Sequence, residues 1–168
     1  MSLRLAPLSP DVFGALAGGD VAAAERLTGL SMTPWFAGRT EIWQYMLTLL
    51  RGRPENIGWL MQAVVLGEHE VIGNAGFKGA PFRGEVELGY SIDPAHRRRG
   101  HAVAAVEVLL DRARSRPAVS RVVARIAPAN DASIAVVTRA GFVPDGDVQS
   151  PTSGHQLQFA RLTPGPDR

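Results

Sequence analysis

The hydrophobic pattern of residues 85–114 changes from a period of two to a helical period. Polar and apolar side chains alternate from Glu85 to Ile92, which predicts a strand with one apolar face. From Ala102 onward, apolar residues recur at three- and four-residue spacing, which predicts an amphipathic helix. The two elements are joined by a basic segment, Arg97–Ala102, which contains one glycine. The pattern therefore predicts a strand, a basic connection and a helix that follow one another directly in the chain.

The segment Arg97–Ala102, called the basic loop below, has the features of an anion-binding site. Its small residues let a ligand approach the backbone. Its N–H groups are followed directly by the unpaired N–H donors of the first turn of the predicted helix. A helix N-terminus carries partial positive charge, and three consecutive arginines add to it. The pattern predicts that the loop binds phosphate.

The same periodicities predict the remaining elements. Strands are expected at Leu3–Ala6, Trp59–Leu66, Val71–Lys78, Arg121–Ile126 and His155–Leu162. Helices are expected at Asp11–Ala17, Val21–Leu27, Glu41–Leu50 and Ala132–Ala140. Two stretches are predicted to lack regular structure: Ser31–Gly38, which is aromatic and irregular, and residues 163–168, which form a frayed tail.

The strand, the basic loop and the helix, in this order along the chain, resemble a motif of the Gcn5-related N-acetyltransferases. The family's acetyl-CoA signature is Arg or Gln, two residues, Gly, one residue, then Gly or Ala, and it is matched by Arg97, Gly100 and Ala102. The resemblance extends loosely over residues 3–162. It continues through Asn130–Ser133 to Arg139–Phe142. Within the family, the chain looks most like the branch that includes the ribosomal-protein N-terminal acetyltransferases, judging from Glu87–Tyr90 and from Asn130 and Ser133.

The resemblance implies a fold and a reaction. The expected fold is a single α/β (α+β) domain over residues 3–162, with a mixed, mainly antiparallel sheet of six to seven strands flanked by helices. The expected enzyme is an acyltransferase that moves an acetyl group directly from acetyl-CoA to an amine, without a metal. The acceptor is left open between a protein N-terminus and a small-molecule amine.

The resemblance also assigns the cofactor contacts. The pyrophosphate of coenzyme A would lie on the basic loop, and Asn130 would bond the pantetheine arm. A backbone N–H near Ser91 or Ile92 would meet the oxyanion, because family members splay their strands there. The loop residues concerned are Arg97, Arg98, Arg99, Gly100, His101 and Ala102.

Two side chains are candidates for proton transfer. Glu87 precedes the loop on the polar face of its strand and would act as the base that removes the ammonium proton; the alternative is an ordinary solvent-facing carboxylate. Ser133 would lie near the sulfur and protonate the thiolate, although Asn130 and Ser133 are also ordinary residues at a helix start. Many family members carry a tyrosine where this chain has Val137, so the usual general acid is missing.

Composition narrows the function further. The chain of 168 residues has a formal charge of only +2, so its pI of about 9.7 reflects a small excess of arginine rather than a nucleic-acid-binding surface. It has no cysteine, which excludes disulfides and thiolate chemistry. The four histidines have no metal-ligand spacing. The N-terminus lacks the apolar run of a signal peptide, and no stretch has the length of a membrane span, so we expect a cytoplasmic protein.

Two other functions are open at this stage. The missing tyrosine allows a protein that binds acetyl-CoA as a sensor or scaffold without turnover. An RNA-binding role for the three arginines is disfavoured, because no aromatic residues are interleaved with them. No serine-hydrolase elbow or nucleotidase phosphate loop is present, which favours direct transfer. A homodimer is neither indicated nor excluded.

Overall fold

The computed structural model describes residues 2–163. In chain order, the strands are β1 (Leu3–Ala6), β2 (Ser31–Met32), β3 (Gln62–Leu66), β4 (Glu70–Phe77), β5 (Glu85–Ile92), β6 (Arg121–Ile126), β7 (Val143–Ser150) and β8 (Gly154–Leu162). The helices are α1 (Pro10–Ala17), α2 (Val21–Thr28), α3 (Pro34–Ala37), α4 (Thr40–Gly52), α5 (His101–Arg114) and α6 (Asp131–Arg139). Short 3-10 turns lie at Pro54–Gly58 and Pro94–His96.

One sheet runs through the molecule in the order β1-β3-β4-β5-β6-β8-β7, and β2 pairs with the start of β4. The pairing is antiparallel except between β2 and β4 and between β5 and β6. The parallel pair β5–β6 lies in the middle of the sheet and is connected through α5, since parallel strands need a long crossover. The mixed, mainly antiparallel α/β architecture is therefore confirmed.

The two faces of the sheet are covered to different extents. On one face, α5 and α6 pack over β4, β5, β6 and β8, with Leu109, Val122 and Val137 fully buried. On the other face, α1–α4 form a second core with Phe13 and Trp43, and its strand residues come from β1, β2, β3 and β4. Because this helical layer stops at β4, the second face of β5 and β6 has no helix over it and carries mainly polar side chains, beside the buried Val123.

Three details differ from the sequence prediction. The sheet has eight strands, since β2 and β7 join it. The segment Ser31–Gly38 contains a short strand and one helical turn, which begins at the Thr33 side-chain cap followed by Pro34. Thr163, assigned above to the frayed tail, is buried and bonded to Val119 and Ser120. Residues 164–168 of that predicted tail lie outside the described residues.

The backbone of Leu60–Met61 packs closely against β4 at Gly76. At Gly76 on β4, a Cβ atom would lie 2.5 Å from the Leu60 carbonyl oxygen and 2.6 Å from Met61 Cα. These are backbone atoms, which cannot move aside without shifting β3. A residue without a side chain is therefore required where the Leu60–Met61 segment packs over β4.

Replacing Gly76 by alanine should lower the free energy of unfolding by about 1–3 kcal/mol, because the new methyl group overlaps this backbone. Gly52→Ala is the matched control: its Cβ would meet nothing within 4 Å, and alanine at the end of α4 should be neutral or stabilising by under about 1 kcal/mol. Urea unfolding of both variants measures the difference. Equal stability of the two variants would contradict the close approach.

Candidate active site

The parallel pairing of β5 with β6 ends half-way along β5. It covers Glu85, Val86 and Glu87 opposite Arg121, Val122 and Val123, and it stops there. Beyond this point β5 continues to Ile92 on β4 alone, while β6 continues to Ile126 on β8 alone. The two strands diverge, and the space between them is called the β5–β6 gap below.

Backbone N–H groups of β5 line this gap. The Lys78 N–H donates to the Glu87 carbonyl and the Asp93 N–H donates to the Ile72 carbonyl, so the odd-numbered residues of β5 bond to β4. By the same alternation, the N–H groups of Tyr90 and Ile92 point toward the gap, while that of Ser91 points toward β4. Ile92, not Ser91, is thus the predicted oxyanion donor whose N–H faces the gap, and Tyr90 is a second one.

The basic loop lies at the wide end of the gap and presents its backbone N–H groups. Arg98 and Gly100 have φ values of 58° and 83°, with no positive φ at Arg99 between them, and such an alternation forms a concave nest for an anion. Gly100 caps α5 without any side-chain hydrogen bond. From Arg98 to Val103, no backbone N–H donates to an acceptor in the part of the chain that the structure describes.

The start of the loop is fixed by two polar contacts. Arg97 Nε donates to the Ile92 carbonyl at 2.8 Å, and the Asp93 carboxylate accepts the Ala95 N–H at 2.9 Å. Burial alone would raise the pKa of Asp93, but the Ala95 N–H, the Thr33 hydroxyl and the nearby positive charges lower it overall. Arg97 therefore braces the loop, while Arg98 and Arg99 extend into solvent.

Two histidines flank the loop. Burial, reinforced by the charges of His96 and Arg99, lowers the pKa of His101 below its usual value. His96 Nε2 lies 3.3 Å from Glu70, and its Nδ1 is buried without a partner in the described residues. Those residues include no group of three or more metal-ligating side chains. Ala102 is partly buried on the first turn of α5, where it leaves the helix start accessible.

Glu87 lies on the open face of β5, within a cluster of charges. Its carboxylate contacts Lys78 Nζ on one oxygen and Arg125 Nη1 on the other, the latter at 2.6 Å. Only 17% of the Glu87 side chain is exposed, against 33% for Lys78. Both oxygens are thus occupied by cations, and the Arg125 side chain, at 31%, is exposed to nearly the same extent as that of Lys78.

The cluster continues across the neighbouring strands. Glu85 lies 3.4 Å from both Arg121 and Arg125, and Arg121 also pairs with Asp145 on β7. Gln158 on β8 joins Arg125 to Asp145 through bonds of 3.0 and 2.7 Å. These contacts hold Arg125 in place beside Glu87. Glu85 and Glu87 share this face of β5, two residues apart, but only Glu87 contacts Lys78.

On the opposite side of the sheet, the first turn of α6 approaches β5. Asn130 caps the helix by accepting the Ser133 N–H at 3.1 Å, which satisfies the ordinary capping role. The Ser133 carbonyl accepts the Tyr90 hydroxyl at 3.0 Å, while the Ser133 hydroxyl makes no hydrogen bond within the described part of the chain. Burial raises the pKa of Tyr90, an effect that the bond to Ser133 partly offsets. Val137, one turn further, is fully buried.

Several residues at this site were not predicted. The alternation along β5 places Tyr90 on the apolar face of the strand, and the sequence pattern gives Lys78, Arg125 and Asn74 no role at the site. Lys78 could have been noticed, because it is the only lysine in the sequence and it follows the strand that pairs with the Glu87 strand. Arg125 and Asn74 reach the site through strand register, which the sequence pattern does not specify.

Comparison with known proteins gives the family. The family described as "Acetyltransferase (GNAT) domain" matches residues 2–143. The chain belongs to this family. The resemblance to Gcn5-related N-acetyltransferases noted in the sequence is thereby confirmed.

Individual relatives are more distant. An "Uncharacterized N-acetyltransferase YjdG" of Bacillus subtilis (strain 168) is 37% identical over 76 residues, which are 45% of this chain and 45% of the relative. The matched segment thus spans less than half the length of this curated relative. An acetyltransferase from Agrobacterium tumefaciens str. C58 is similar at 27% identity and a TM-score of 0.62, covering 95% of this chain and 90% of that one.

A ribosomal-protein acetyltransferase of known structure has a similar fold. A solved structure of the ribosomal L7/L12 alpha-N-protein acetyltransferase RimL in complex with coenzyme A has a TM-score of 0.67 and 20% identity, over 96% of this chain and 94% of that one. This likeness shows a shared fold. None of the helices among residues 2–163 has the length and apolar character needed to cross a membrane.

The buried Asp93 should make stability depend on pH. The pKa of Asp93 is lower in the folded protein than in the unfolded chain, so its ionised carboxylate stabilises the fold above the unfolded-state pKa of about 3.9. This stabilisation is lost as the pH falls through the folded-state pKa. Asp93→Asn should therefore lower the free energy of unfolding by about 1–3 kcal/mol at pH 7, with a smaller deficit at pH 3. Asp11→Asn, an exposed carboxylate in the first turn of α1, is the control. A deficit for Asp93→Asn that is equal at both pH values would contradict this account.

Proposed function

We propose that the protein is an acetyl-CoA-dependent N-acetyltransferase that moves an acetyl group directly to an amine within a ternary complex. The observation that carries this proposal is the β5–β6 gap, which opens beside the backbone N–H groups of Arg98–Val103, none of which has an acceptor among residues 2–163. The gap offers room for an extended arm between two strands, and the loop offers donors for a diphosphate at its end. Coenzyme A consists of an extended arm that ends in a diphosphate, so its arm fits the gap and its diphosphate fits the loop.

In this proposal, each part of the cofactor has its own contacts. The pyrophosphate lies on the N–H groups of the basic loop, with Arg98 and Arg99 adding charge and Arg97 holding the loop against Ile92. His101 and Ala102 contribute the first N–H groups of α5. The pantetheine arm passes through the gap, where the free amide nitrogen of Asn130 can donate to it. The acetyl carbonyl points its oxygen at the N–H groups of Tyr90 and Ile92.

The transfer removes two protons from an ammonium acceptor and delivers one proton to the leaving group. In this proposal, the ammonium group of the acceptor gives its first proton to Glu87, and the resulting amine attacks the carbonyl carbon. The C–N bond forms, the attached nitrogen loses its second proton to solvent, the C–S bond breaks, and coenzyme A leaves as a thiolate. The Ser133 hydroxyl, which makes no hydrogen bond to the described residues, supplies a proton to the sulfur and regains one from solvent.

The charge cluster supports Glu87 as the base. The Lys78 ammonium already lies against this carboxylate, which shows that the open face accommodates a cation of the kind an acceptor would bring. An incoming ammonium group would replace Lys78, whose ammonium group pairs only with Glu87 among the described residues, while Arg125, which Glu85 and Gln158 also hold, keeps the carboxylate in place. We propose Glu87 as base on this ground, and a protein N-terminus or a small amine as the acceptor.

Location and assembly belong to the same proposal. A chain without cysteine suits the reducing cytoplasm, where we place it. The exposed apolar residues Val143 and Leu162, on the paired strands β7 and β8, make this end of the sheet the candidate surface for a homodimer.

A second candidate function rests on Val137. Because this residue is fully buried and apolar, α6 lacks the tyrosine that many family members use as the general acid, and the Ser133 hydroxyl is the remaining candidate. A protein of this fold that binds acetyl-CoA without transferring the acetyl group would look the same at this position. It would bind the cofactor with wild-type loop residues and release no thiol with any amine.

Glu87→Gln should reduce thiol release from acetyl-CoA by about 100-fold or more, because the amide cannot accept the ammonium proton. The dissociation constant for coenzyme A should stay within about twofold, since the change is remote from the basic loop. Rates are measured with the best acceptor from a panel of N-terminal peptides and small amines.

Glu85→Gln is the matched control for this prediction. It removes a carboxylate from the same face of the same strand and also loses a contact with Arg125, but it does not touch Lys78. Its turnover should remain within about threefold of the wild-type value. Equal losses in both variants would show that the charge cluster, and not Glu87 as a base, is what transfer requires.

A further inference from the structure

Asn74 on β4 has a buried amide group that is only half satisfied. Its side chain is 2% exposed, and its Oδ1 accepts the Ser91 hydroxyl at 2.8 Å. Its Nδ2 donates to no acceptor among the described residues. A buried amide N–H without an acceptor is costly, and native proteins rarely keep one without a ligand or a water molecule to receive it.

The position of Asn74 distinguishes it from another buried donor without an acceptor. Trp43 Nε1 lies in the apolar core of α1–α4, stacked near Phe13 and Phe36. Asn74 instead lies where that helical layer ends, and its partner Ser91 is half-buried on the open face of β5. The Asn74 amide is therefore next to the region from which an acceptor would enter.

Strand register puts Asn74 in one row with the proposed base. Asn74 is opposite Ser91, Gly76 is opposite Gly89, and Lys78 follows opposite Glu87. Ser91 and Glu87 are four residues apart on one face of β5, or about 13 Å along the strand. Gly89 has no side chain between them, and a Cβ atom there would meet the flexible ends of two side chains, Met61 Cε at 2.7 Å and Lys78 Cε at 3.5 Å. An extended substrate that displaces these two side-chain ends can therefore reach both groups.

The chemistry at the two ends of this row differs. Glu87 takes a cation, whereas Asn74 Nδ2 requires an oxygen that can accept a hydrogen bond. Two residues beyond Ser91 lies the buried Asp93 carboxylate, which disfavours a second negative charge nearby. A neutral carbonyl oxygen fits this end of the row better than a carboxylate does.

We propose that Asn74 and Ser91 form a subsite that binds a neutral carbonyl oxygen of the acceptor, and that the acceptor is an amine bearing an amide, as in a peptide N-terminus or an amino-acid amide. This inference rests on the proposed transferase function and narrows its substrate class. Oligoamines lack the oxygen and would leave the Asn74 N–H unsatisfied. Asn74 acts here as a specificity-determining residue and takes no part in proton transfer.

The test compares two acceptors in two proteins. Wild-type protein should acetylate an amino-acid N-alkyl amide with a kcat/KM at least about tenfold above that for an alkylamine of equal length, because only the amide supplies the missing acceptor. In Asn74→Leu, which keeps the side-chain size and removes the N–H, the ratio should fall to near one. The kcat/KM for the plain alkylamine should stay within about threefold.

Stability separates recognition from a structural role. Asn56 is the matched control, since its buried amide is satisfied on both sides, by the Leu49 carbonyl and the Ala80 N–H. Asn56→Leu should lower the melting temperature more than Asn74→Leu, because it leaves two backbone groups without partners, whereas Asn74→Leu removes an unsatisfied donor and loses only the bond from the Ser91 hydroxyl. A large loss of stability in Asn74→Leu with an unchanged amide preference would overturn the proposal and assign Asn74 to folding alone.

A binding measurement keeps this test separate from that of the transferase function. In the presence of coenzyme A, the N-acetylated amide product should shift the side-chain NH₂ resonance of Asn74 in an NMR titration, and the N-acetylated alkylamine should not. A protein that releases no thiol with any amine would refute the transfer, and the Asn74 shift would still decide the subsite. An unchanged resonance would refute the subsite whether or not turnover occurs.

Discussion

The site depends on where the parallel pairing of β5 and β6 stops. Three residue pairs hold the two central strands together, and beyond Glu87 each strand keeps only its other neighbour. The unpaired edge of β5 would be unfavourable if it were buried without ligands, because its N–H groups would lack acceptors. A substrate arm that lies in the gap gives those groups partners. The same divergence brings the start of α6 to Tyr90 and leaves the start of α5 open at the wide end.

The two halves of the site are built on different physical principles. The cofactor half consists of backbone donors, held by the Arg97 contact to Ile92 and by the buried Asp93, so its geometry depends little on side-chain identity. The acceptor half consists of side chains on the open face, where three cations balance three carboxylates: Lys78, Arg121 and Arg125 against Glu85, Glu87 and Asp145. Such a cluster holds its members in place through mutual contacts. An acceptor must enter it by exchange, and this makes Lys78 the contact most easily displaced.

The sequence predicted the cofactor half more completely than the acceptor half. The strand, the basic loop and the helix are contiguous in the chain, so alternation, helical spacing and Gly100 were sufficient to predict them. The family, the α/β fold and the mainly antiparallel sheet were predicted correctly from this stretch. The strand count was too low, because β2 has only two residues and β7, mostly exposed, lacks the alternation that marks a half-buried strand.

The acceptor half could not be predicted because it depends on register between strands. Asn74, Lys78 and Arg125 meet the polar residues of β5 only once β4 and β6 are aligned with it, and a shift of one residue would turn each of them to the other face. The role of Tyr90 could not be predicted for a related reason. The alternation along β5 places its side chain on the apolar face, whereas its hydroxyl bonds to the first turn of α6.

The central claim is that the gap and the basic loop together hold acetyl-CoA, and calorimetric titration tests it most directly. We expect acetyl-CoA to bind with a micromolar dissociation constant. Acetyl-pantetheine, which has the arm but not the pyrophosphate, should bind at least about tenfold more weakly, because it leaves the loop N–H groups unsatisfied. Equal affinity for the two compounds, or no binding of either, would contradict the account.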